Sequence, residues 1–144
     1  LLDSFVALSK ENIFPSLLLT LKKNELIKTN FEKIILNNSL KITFKYFNSS
    51  EIQDAYNKSK ALIFPSLNET LGLPLLEAKK NNLDILASEL DYVRDISDPC
   101  ETFDPNSSLS ISRAIKRYLS INNNIEKKFF LDYESYQDYL ILNK

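Results

Sequence analysis

Short apolar segments alternate with helical patterns along this chain, and the alternation is the feature that most constrains its fold. Five segments are predicted strands: Leu17–Leu21, Lys41–Phe47, Ala61–Pro65, Asp84–Ser88 and Glu101–Phe103. Residues that interrupt regular structure, chiefly Pro, Asn, Asp and Ser, lie beside each of them. Buried strands separated by helices are typical of a parallel sheet. We therefore predict an α/β fold, a doubly wound parallel sheet with helices on both faces.

The segments between the strands have apolar residues at helical spacing. We predict helices over residues 1–10, 22–38, 50–58, 74–81 and 107–119, one helical turn over 92–96, and a helical tail over 125–142. Ser50 followed by Gln53 resembles a capping box at the start of the third helix. The chain is predicted to be one domain over 1–144, with the α/β core over 1–121 and a C-terminal helical tail over 122–144.

Composition excludes several classes of function. The 144 residues include 18 basic and 19 acidic side chains, so the net charge of −1 gives no reason to expect nucleic acid as a partner. The absence of His excludes a His-based triad or a His-ligated metal site built from this chain alone. A single Cys allows no internal disulfide, and together with the absence of a long apolar run or signal peptide it predicts a cytoplasmic location.

Gly72 is the only glycine of the chain, and it precedes Pro74 at a predicted helix start. A single glycine at such a place indicates a backbone shape that a Cβ would forbid, or the close approach of a ligand. The N–H groups of Leu71, Gly72 and Leu73 would then surround a helix N-terminus, which favours phosphate. This loop follows the carboxyl end of a strand, where α/β sheets bind their ligands.

Glu69 and Glu77 lie on either side of this predicted helix start, eight positions apart. Two carboxylates so placed can accept hydrogen bonds from sugar hydroxyls on both sides of a bound phosphate. Taken alone, two such glutamates are more often solvated charges, and a lone glycine is more often a turn residue. The surrounding motif decides in favour of a binding site.

Residues 64–78 read FPSLNETLGLPLLEA. With Glu69-x7-Glu77 inside it, this segment closely resembles the signature of retaining GT-B glycosyltransferases of the glycosyltransferase family 4, or group 1, type. Further segments resemble that family in the same order: Phe44 to Tyr56, Ile85–Ser88 followed by Tyr92-Val93-Arg94-Asp95, and Phe103-Asp104-Pro105. The resemblance spans about Phe44 to Leu119, half of the chain.

The resemblance implies the Rossmann-like C-terminal, donor-binding half of a GT-B fold. It implies that Glu77 binds the nucleotide ribose and that Glu69 is the catalytic carboxylate beside the donor sugar. It further implies that the backbone of Leu71, Gly72 and Leu73 holds the diphosphate. The remaining predicted binding residues, which line the same loop, are Ser66, Leu67 and Thr70.

The resemblance also implies the substrates. The expected donor is a UDP- or GDP-linked sugar, and the expected acceptor is a glycan or lipid-linked sugar of bacterial surface polysaccharide or lipopolysaccharide synthesis. We expect no metal and no other cofactor, since the chain has no Asp-x-Asp motif. The lysines between Lys22 and Lys41 form either a surface exposed to solvent or a surface that contacts the inner face of the membrane.

Two features of the family are missing from this chain. The Gly-Arg loop and the downstream Lys that clamp the phosphates have no counterpart before Leu1, and the acceptor domain is absent. Because the chain also contains no Met, we expect it to begin inside a longer protein. Three readings follow: half of an active transferase, an isolated nucleotide-binding domain without catalytic activity, or a remnant without a ligand.

Overall fold

A computed structural model describes residues 1–21, 25–45, 47–69, 71–121, 128–134 and 137–143 of the protein. The helices are α1 Leu2–Ser9, α2 Glu25–Asn37, α3 Ser49–Asn57, α4 Leu73–Lys80, α5 Asp91–Ile96 and α6 Ser108–Ile121. The strands are β1 Ser16–Leu21, β2 Ile42–Phe44, β3 Ser59–Phe64, β4 Asp84–Ser88, β5 Glu101–Phe103, β6 Lys128–Glu134 and β7 Gln137–Asn143. The first five strands and the helices between them follow the predicted alternation.

The seven described strands form one sheet in the order β2-β1-β6-β7-β3-β4-β5. Parallel pairs join β1 to β2 and to β6, and β3 to β4, which in turn pairs with β5. Only β7 runs against its neighbours β6 and β3. Parallel strands connected through helices confirm the predicted α/β class.

Helices cover both faces of this sheet, as predicted. Successive side chains of a strand point to opposite faces, and β3 accordingly sends Ala61 and Ile63 to one core and Leu62 and Phe64 to the other. The first core is completed by residues of α1, α2 and α6, and the second by residues of α3, α4 and α5. The candidate site belongs to the second face, because α4 and α5 pack there.

The C-terminal tail is a correction to the sequence prediction. Where a helix was predicted over 125–142, the structure has the antiparallel pair β6 and β7. The tail contains the apolar runs Phe129-Phe130-Leu131 and Tyr139-Leu140-Ile141-Leu142. Short apolar runs rich in aromatic and β-branched residues fit a buried strand as well as a helix, and here the strand is formed.

The start of α3 is a second correction. The capping residue is Asn48 rather than Ser50: Asn48 Oδ1 accepts the N–H of Glu51 at 3.0 Å, and Glu51 Oε2 accepts the N–H of Asn48 at 3.1 Å. This reciprocal pair is a capping box that begins two residues earlier than predicted. Within the described part of the chain, no helix combines the length and apolarity needed to cross a bilayer.

Candidate functional site

The loop between β3 and α4 lies at the carboxyl end of β3, at the same edge of the sheet as the ends of β4 and β5. Its start is anchored by Ser66, which is buried and whose Oγ donates to the carbonyl of Asn68 at 3.1 Å. The hydroxyl of Tyr92, on α5, donates to the carbonyl of Ser66 at 3.1 Å. These bonds hold the loop against α5.

Gly72 caps the N-terminus of α4 in the left-handed conformation, with φ 54° and ψ 37°. A Cβ at this position would lie 2.7 Å from Cδ1 of Ile96 and 3.4 Å from Cδ1 of Leu75. The left-handed backbone strains any residue with a Cβ, and close packing adds to the preference for glycine here. The sequence prediction that a Cβ is forbidden at Gly72 agrees with this geometry.

The first turn of α4 sets which amides can face a ligand. Leu75 and Leu76 donate their N–H groups to the carbonyl of Gly72, at 2.9 and 3.3 Å. Pro74, at the second helical position rather than the first, has no N–H. The N–H groups of Gly72 and Leu73 precede these intrahelical bonds, and the helix dipole adds partial positive charge around them.

Glu69 is half-buried in the loop, and its Oε1 is shielded from solvent. Burial raises the pKa of the Tyr92 hydroxyl, and the negative charge of Glu69 raises it further. The carboxylate of Glu69 thus lies close enough to Tyr92 to disfavour ionisation of its hydroxyl. Tyr92 was not singled out as a site residue from sequence.

Glu77 lies one helical turn into α4 and is exposed. Its Oε2 accepts a hydrogen bond of 2.8 Å from the hydroxyl of Tyr56, a residue of α3 that is only 2% exposed. A buried phenol therefore fixes the orientation of an exposed carboxylate. Sequence gave no signal for this pair, because the two residues are 21 positions apart and belong to different helices.

Three leucines of the predicted site present their side chains to solvent: Leu67, Leu71 and Leu73 are 59%, 66% and 56% exposed. A contribution from Leu71 and Leu73 would therefore come through their backbone. Thr70, the remaining predicted binding residue, lies outside the described residues.

A scan against protein-family models matches residues 2–130 to the family described as Glycosyl transferases group 1. The chain belongs to this family. A comparison with curated proteins gave no match. The match covers the whole α/β core and agrees with the parallel sheet and its covering helices. As a group 1 glycosyltransferase domain, the protein is of the transferase class, and its general substrates are a nucleotide-sugar donor and an acceptor.

A charged pair follows β4, close to this glycosyltransferase loop. Arg94 pairs with Glu89, whose Oε1 lies 2.5 Å from Nη2 and 2.6 Å from Nε of the guanidinium. The Thr102 hydroxyl and this guanidinium lower the pKa of Glu89. The Glu89 carboxylate, with Thr102 and Arg94 as its partners, therefore lies at the carboxyl ends of β4 and β5.

Cys100, the single cysteine of the chain, carries a free thiol. Its Sγ donates to the carbonyl of Ile85 at 3.2 Å, and burial of the sulfur raises the pKa of the thiol to about 11. A thiol that stays protonated at neutral pH is a poor nucleophile. Among the described residues of this glycosyltransferase domain, no group of three or more His, Cys, Asp or Glu side chains is placed to hold a metal ion.

Proposed function

We propose that this domain is the donor-binding half of a retaining glycosyltransferase and that it binds a UDP- or GDP-linked sugar at the loop between β3 and α4. The observation that carries the proposal is Gly72, left-handed at the N-terminus of α4, with Glu69 before it and Glu77 after it. In this proposal the amides of Leu71, Gly72 and Leu73 hold the diphosphate, with Ser66, Leu67 and Thr70 lining the same loop.

The reaction needs stabilisation of the leaving nucleoside diphosphate, which gains negative charge as its bond to the anomeric carbon breaks. Amide dipoles at the start of α4 face that charge without reorganising, and such preorganised donors are the strongest kind of electrostatic catalysis. Retention at the anomeric carbon and transfer without a metal are the family's pattern for this signature and belong to the proposal.

Glu77 is proposed to accept the hydroxyls of the nucleotide ribose. Support comes from the Tyr56 hydroxyl, which holds one oxygen of the carboxylate at 2.8 Å and leaves the exposed side of the group toward solvent. A carboxylate fixed in advance loses less side-chain entropy when a diol binds. Tyr56 is thus a positioning residue for Glu77.

Glu69 is proposed as the catalytic carboxylate beside the donor sugar. Its half-buried position and shielded Oε1 support this role, since a partly desolvated carboxylate interacts more strongly with a developing positive charge than a solvated one. The acceptor is proposed to be a glycan or lipid-linked sugar of bacterial surface polysaccharide synthesis, held by a further domain. In this proposal the protein contacts a membrane only if its acceptor is lipid-linked.

Calorimetric titration of the chain with UDP, GDP, UDP-glucose and GDP-mannose tests the proposal. We expect one nucleotide series to bind, and Glu77→Ala to weaken its affinity by about tenfold or more through loss of charge-assisted hydrogen bonds. Glu77→Gln keeps an acceptor for Tyr56 and should weaken binding less. Glu32→Ala, an exposed glutamate on α2, is the matched control and should bind as the parent does.

Two results would contradict the proposal: no binding of any nucleotide to the folded chain, or equal affinities for the parent and Glu77→Ala. The Tyr56→Phe variant distinguishes an effect on folding from an effect on nucleotide binding. It keeps both carboxylates but removes the bond to Glu77, so a loss of nucleotide affinity without a change in the folded fraction would support the positioning role.

A further inference from the structure

One short helix, α5, contacts the loop between β3 and α4 at both of its ends. The hydroxyl of Tyr92 donates to the carbonyl of Ser66 at 3.1 Å, where the loop begins. Ile96 packs on Gly72, where the loop ends, with its Cδ1 only 2.7 Å from the place that a Cβ would occupy. Tyr92 and Ile96 are four positions apart and therefore share one face of α5.

The contact at the start of the loop is a single directional hydrogen bond. Ser66 is buried and its Oγ donates to the carbonyl of Asn68 at 3.1 Å, so the bond from Tyr92 fixes the segment that leads directly into Glu69. Burial raises the pKa of the Tyr92 hydroxyl, and the negative charge of Glu69 adds to this effect, so the carboxylate lies near this end of α5. The first contact therefore bears on the carboxylate of the loop.

The contact at the end of the loop is apolar packing. Ile96 is half-buried against the second core, and Gly72 is the residue that caps α4. The N–H groups of Gly72 and Leu73 lie at this point, before the first bonds of the helix. Truncation of Ile96 would loosen the cap and leave the hydrogen bond from Tyr92 intact. The second contact therefore bears on the amides of the loop.

Helix α5 is itself held by packing and hydrogen bonds, so it can act as a fixed support. Val93 is fully buried in the second core. The N–H and the Oγ of Ser97 both donate to the carbonyl of Val93, at 2.8 and 3.0 Å, and close the last turn. Arg94 pairs with Glu89 at the end of β4. A loop is positioned well when the element behind it is locked in this way.

We propose that α5 sets the two ends of the donor loop separately. Tyr92 is a positioning residue for Glu69, and thereby for recognition of the donor sugar. Ile96 is a positioning residue for the amide of Gly72, and thereby for recognition of the diphosphate. The inference rests on the proposed function, because the donor site that α5 supports is itself a proposal. Neither residue of α5 needs to touch the donor.

Calorimetry of the full chain with UDP, GDP, UDP-glucose, UDP-galactose, UDP-N-acetylglucosamine and GDP-mannose tests this division. For each base, the ratio of the affinities for the sugar nucleotide and the bare nucleotide isolates the contribution of the sugar. Tyr92→Phe, which keeps the aromatic ring, should lower this ratio about fivefold and leave the affinity for the bare nucleotide unchanged. Ile96→Ala should weaken both ligands by a similar factor and leave the ratio unchanged.

Each variant has a matched control on the other face of the sheet. Tyr118→Phe removes a buried hydroxyl that donates to Asp84 Oδ2 at 2.7 Å, and Ile35→Ala truncates a half-buried isoleucine of α2. Both controls lose stability for the same physical reasons as the test variants, but they should leave the nucleotide affinities of the folded chain unchanged. If Ile96→Ala does not fold, Ile96→Val removes only the Cδ1 of the contact.

Amide spectra of the unliganded, ¹⁵N-labelled chain test the same positioning without a nucleotide. Gly72 is the only glycine of the chain, so its amide signal is easily assigned. Tyr92→Phe should shift the amides of Asn68 and Glu69 and leave that of Gly72 in place, whereas Ile96→Ala should do the reverse. If each variant shifts both ends of the loop, α5 does not set them separately.

The two proposals fail separately. If nucleotides bind but Tyr92→Phe weakens bare and sugar nucleotides equally, or affects neither, the positioning role is overturned and the donor site stands. Equal effects of Tyr92→Phe and Tyr118→Phe on the affinity ratio would overturn it too. If no nucleotide binds while the two variants shift opposite ends of the loop, the control of the loop by α5 stands and the donor site falls.

Discussion

Single residues define the candidate site through their backbone as much as through their side chains. At Gly72 the φ of 54° and the neighbouring Cδ1 of Ile96 both disfavour a side chain. Asn82, at the other end of α4, has the same φ of 54° but carries a side chain. Asn is among the few residues that adopt this conformation readily. A left-handed residue therefore flanks α4 at each end, Gly72 before the helix and Asn82 after it.

Replacement of Gly72 by Ala should lower the free energy of unfolding by about 1–2 kcal/mol from backbone strain alone, with a further loss from the contact with Ile96. Urea denaturation of the variant measures the sum. Ile96→Val removes the Cδ1 that a Cβ would approach to 2.7 Å, so Gly72→Ala should cost less in that background. Strictly additive effects of the two substitutions would contradict the proposed contact.

The pKa of Glu89 should lie below its ordinary value of 4.5, first because of the Thr102 hydroxyl and then because of Arg94. A lowered pKa stabilises the folded protein above pH 4.5, and this contribution is lost as the pH falls through the folded-state value. Carbon NMR of the Glu89 carboxyl measures the midpoint. Thr102→Val should raise it and Thr102→Ser should not; no difference between these variants would contradict the assignment.

The sequence prediction placed Glu69, Gly72 and Glu77 around a helix start, and α4 does begin at Leu73. The three residues lie within one continuous segment, so their spacing and the glycine were sufficient for this placement. Tyr56 donates to Glu77 from α3, and Tyr92 donates to the carbonyl of Ser66 from α5. Their contacts depend on how α3 and α5 pack on the sheet, which a local pattern does not encode.

At the scale of elements, the first five strands were easier to predict than the ends of the helices. A buried strand is marked by a short apolar run, and all five predicted runs coincide with β1 to β5. Helix ends depend on single hydrogen bonds. At α3 both Asn48 with Glu51 and Ser50 with Gln53 have the spacing of a capping box, and the pair that forms is Asn48 with Glu51.

Asn48→Ala should therefore destabilise the protein by about 1 kcal/mol, the usual effect of removing an N-terminal cap. The loss is measured by urea denaturation and should appear as faster amide exchange in the first turn of α3. Asn48→Ser retains an acceptor and serves as the control, with little loss of stability. If the two variants lose equal stability, the cap does not fix the start of this helix.

For the whole molecule, the order of strands could not be read from sequence. Alternating strands and helices predict a parallel sheet, but β6 and β7 lie between β1 and β3 although they come last in the chain. Their placement depends on pairing between residues more than 60 positions apart, such as Leu62 and Ile141. The tail was predicted as a helix because local periodicity does not report such pairing.

The sheet has one hydrophobic core on each face, and only the core that contains residues of α4 and α5 packs beneath the candidate site. Leu75 and Ile115 are both fully buried, on opposite faces, and truncation of either to Ala should cost about 2–5 kcal/mol. Leu75 also packs beside Gly72, so Leu75→Ala should loosen the α4 N-terminus and weaken UDP binding. Ile115→Ala should leave the affinity of the folded fraction unchanged. Calorimetry at a temperature where both variants are folded separates the effects, and equal affinities would show that the amides of α4 do not depend on this packing.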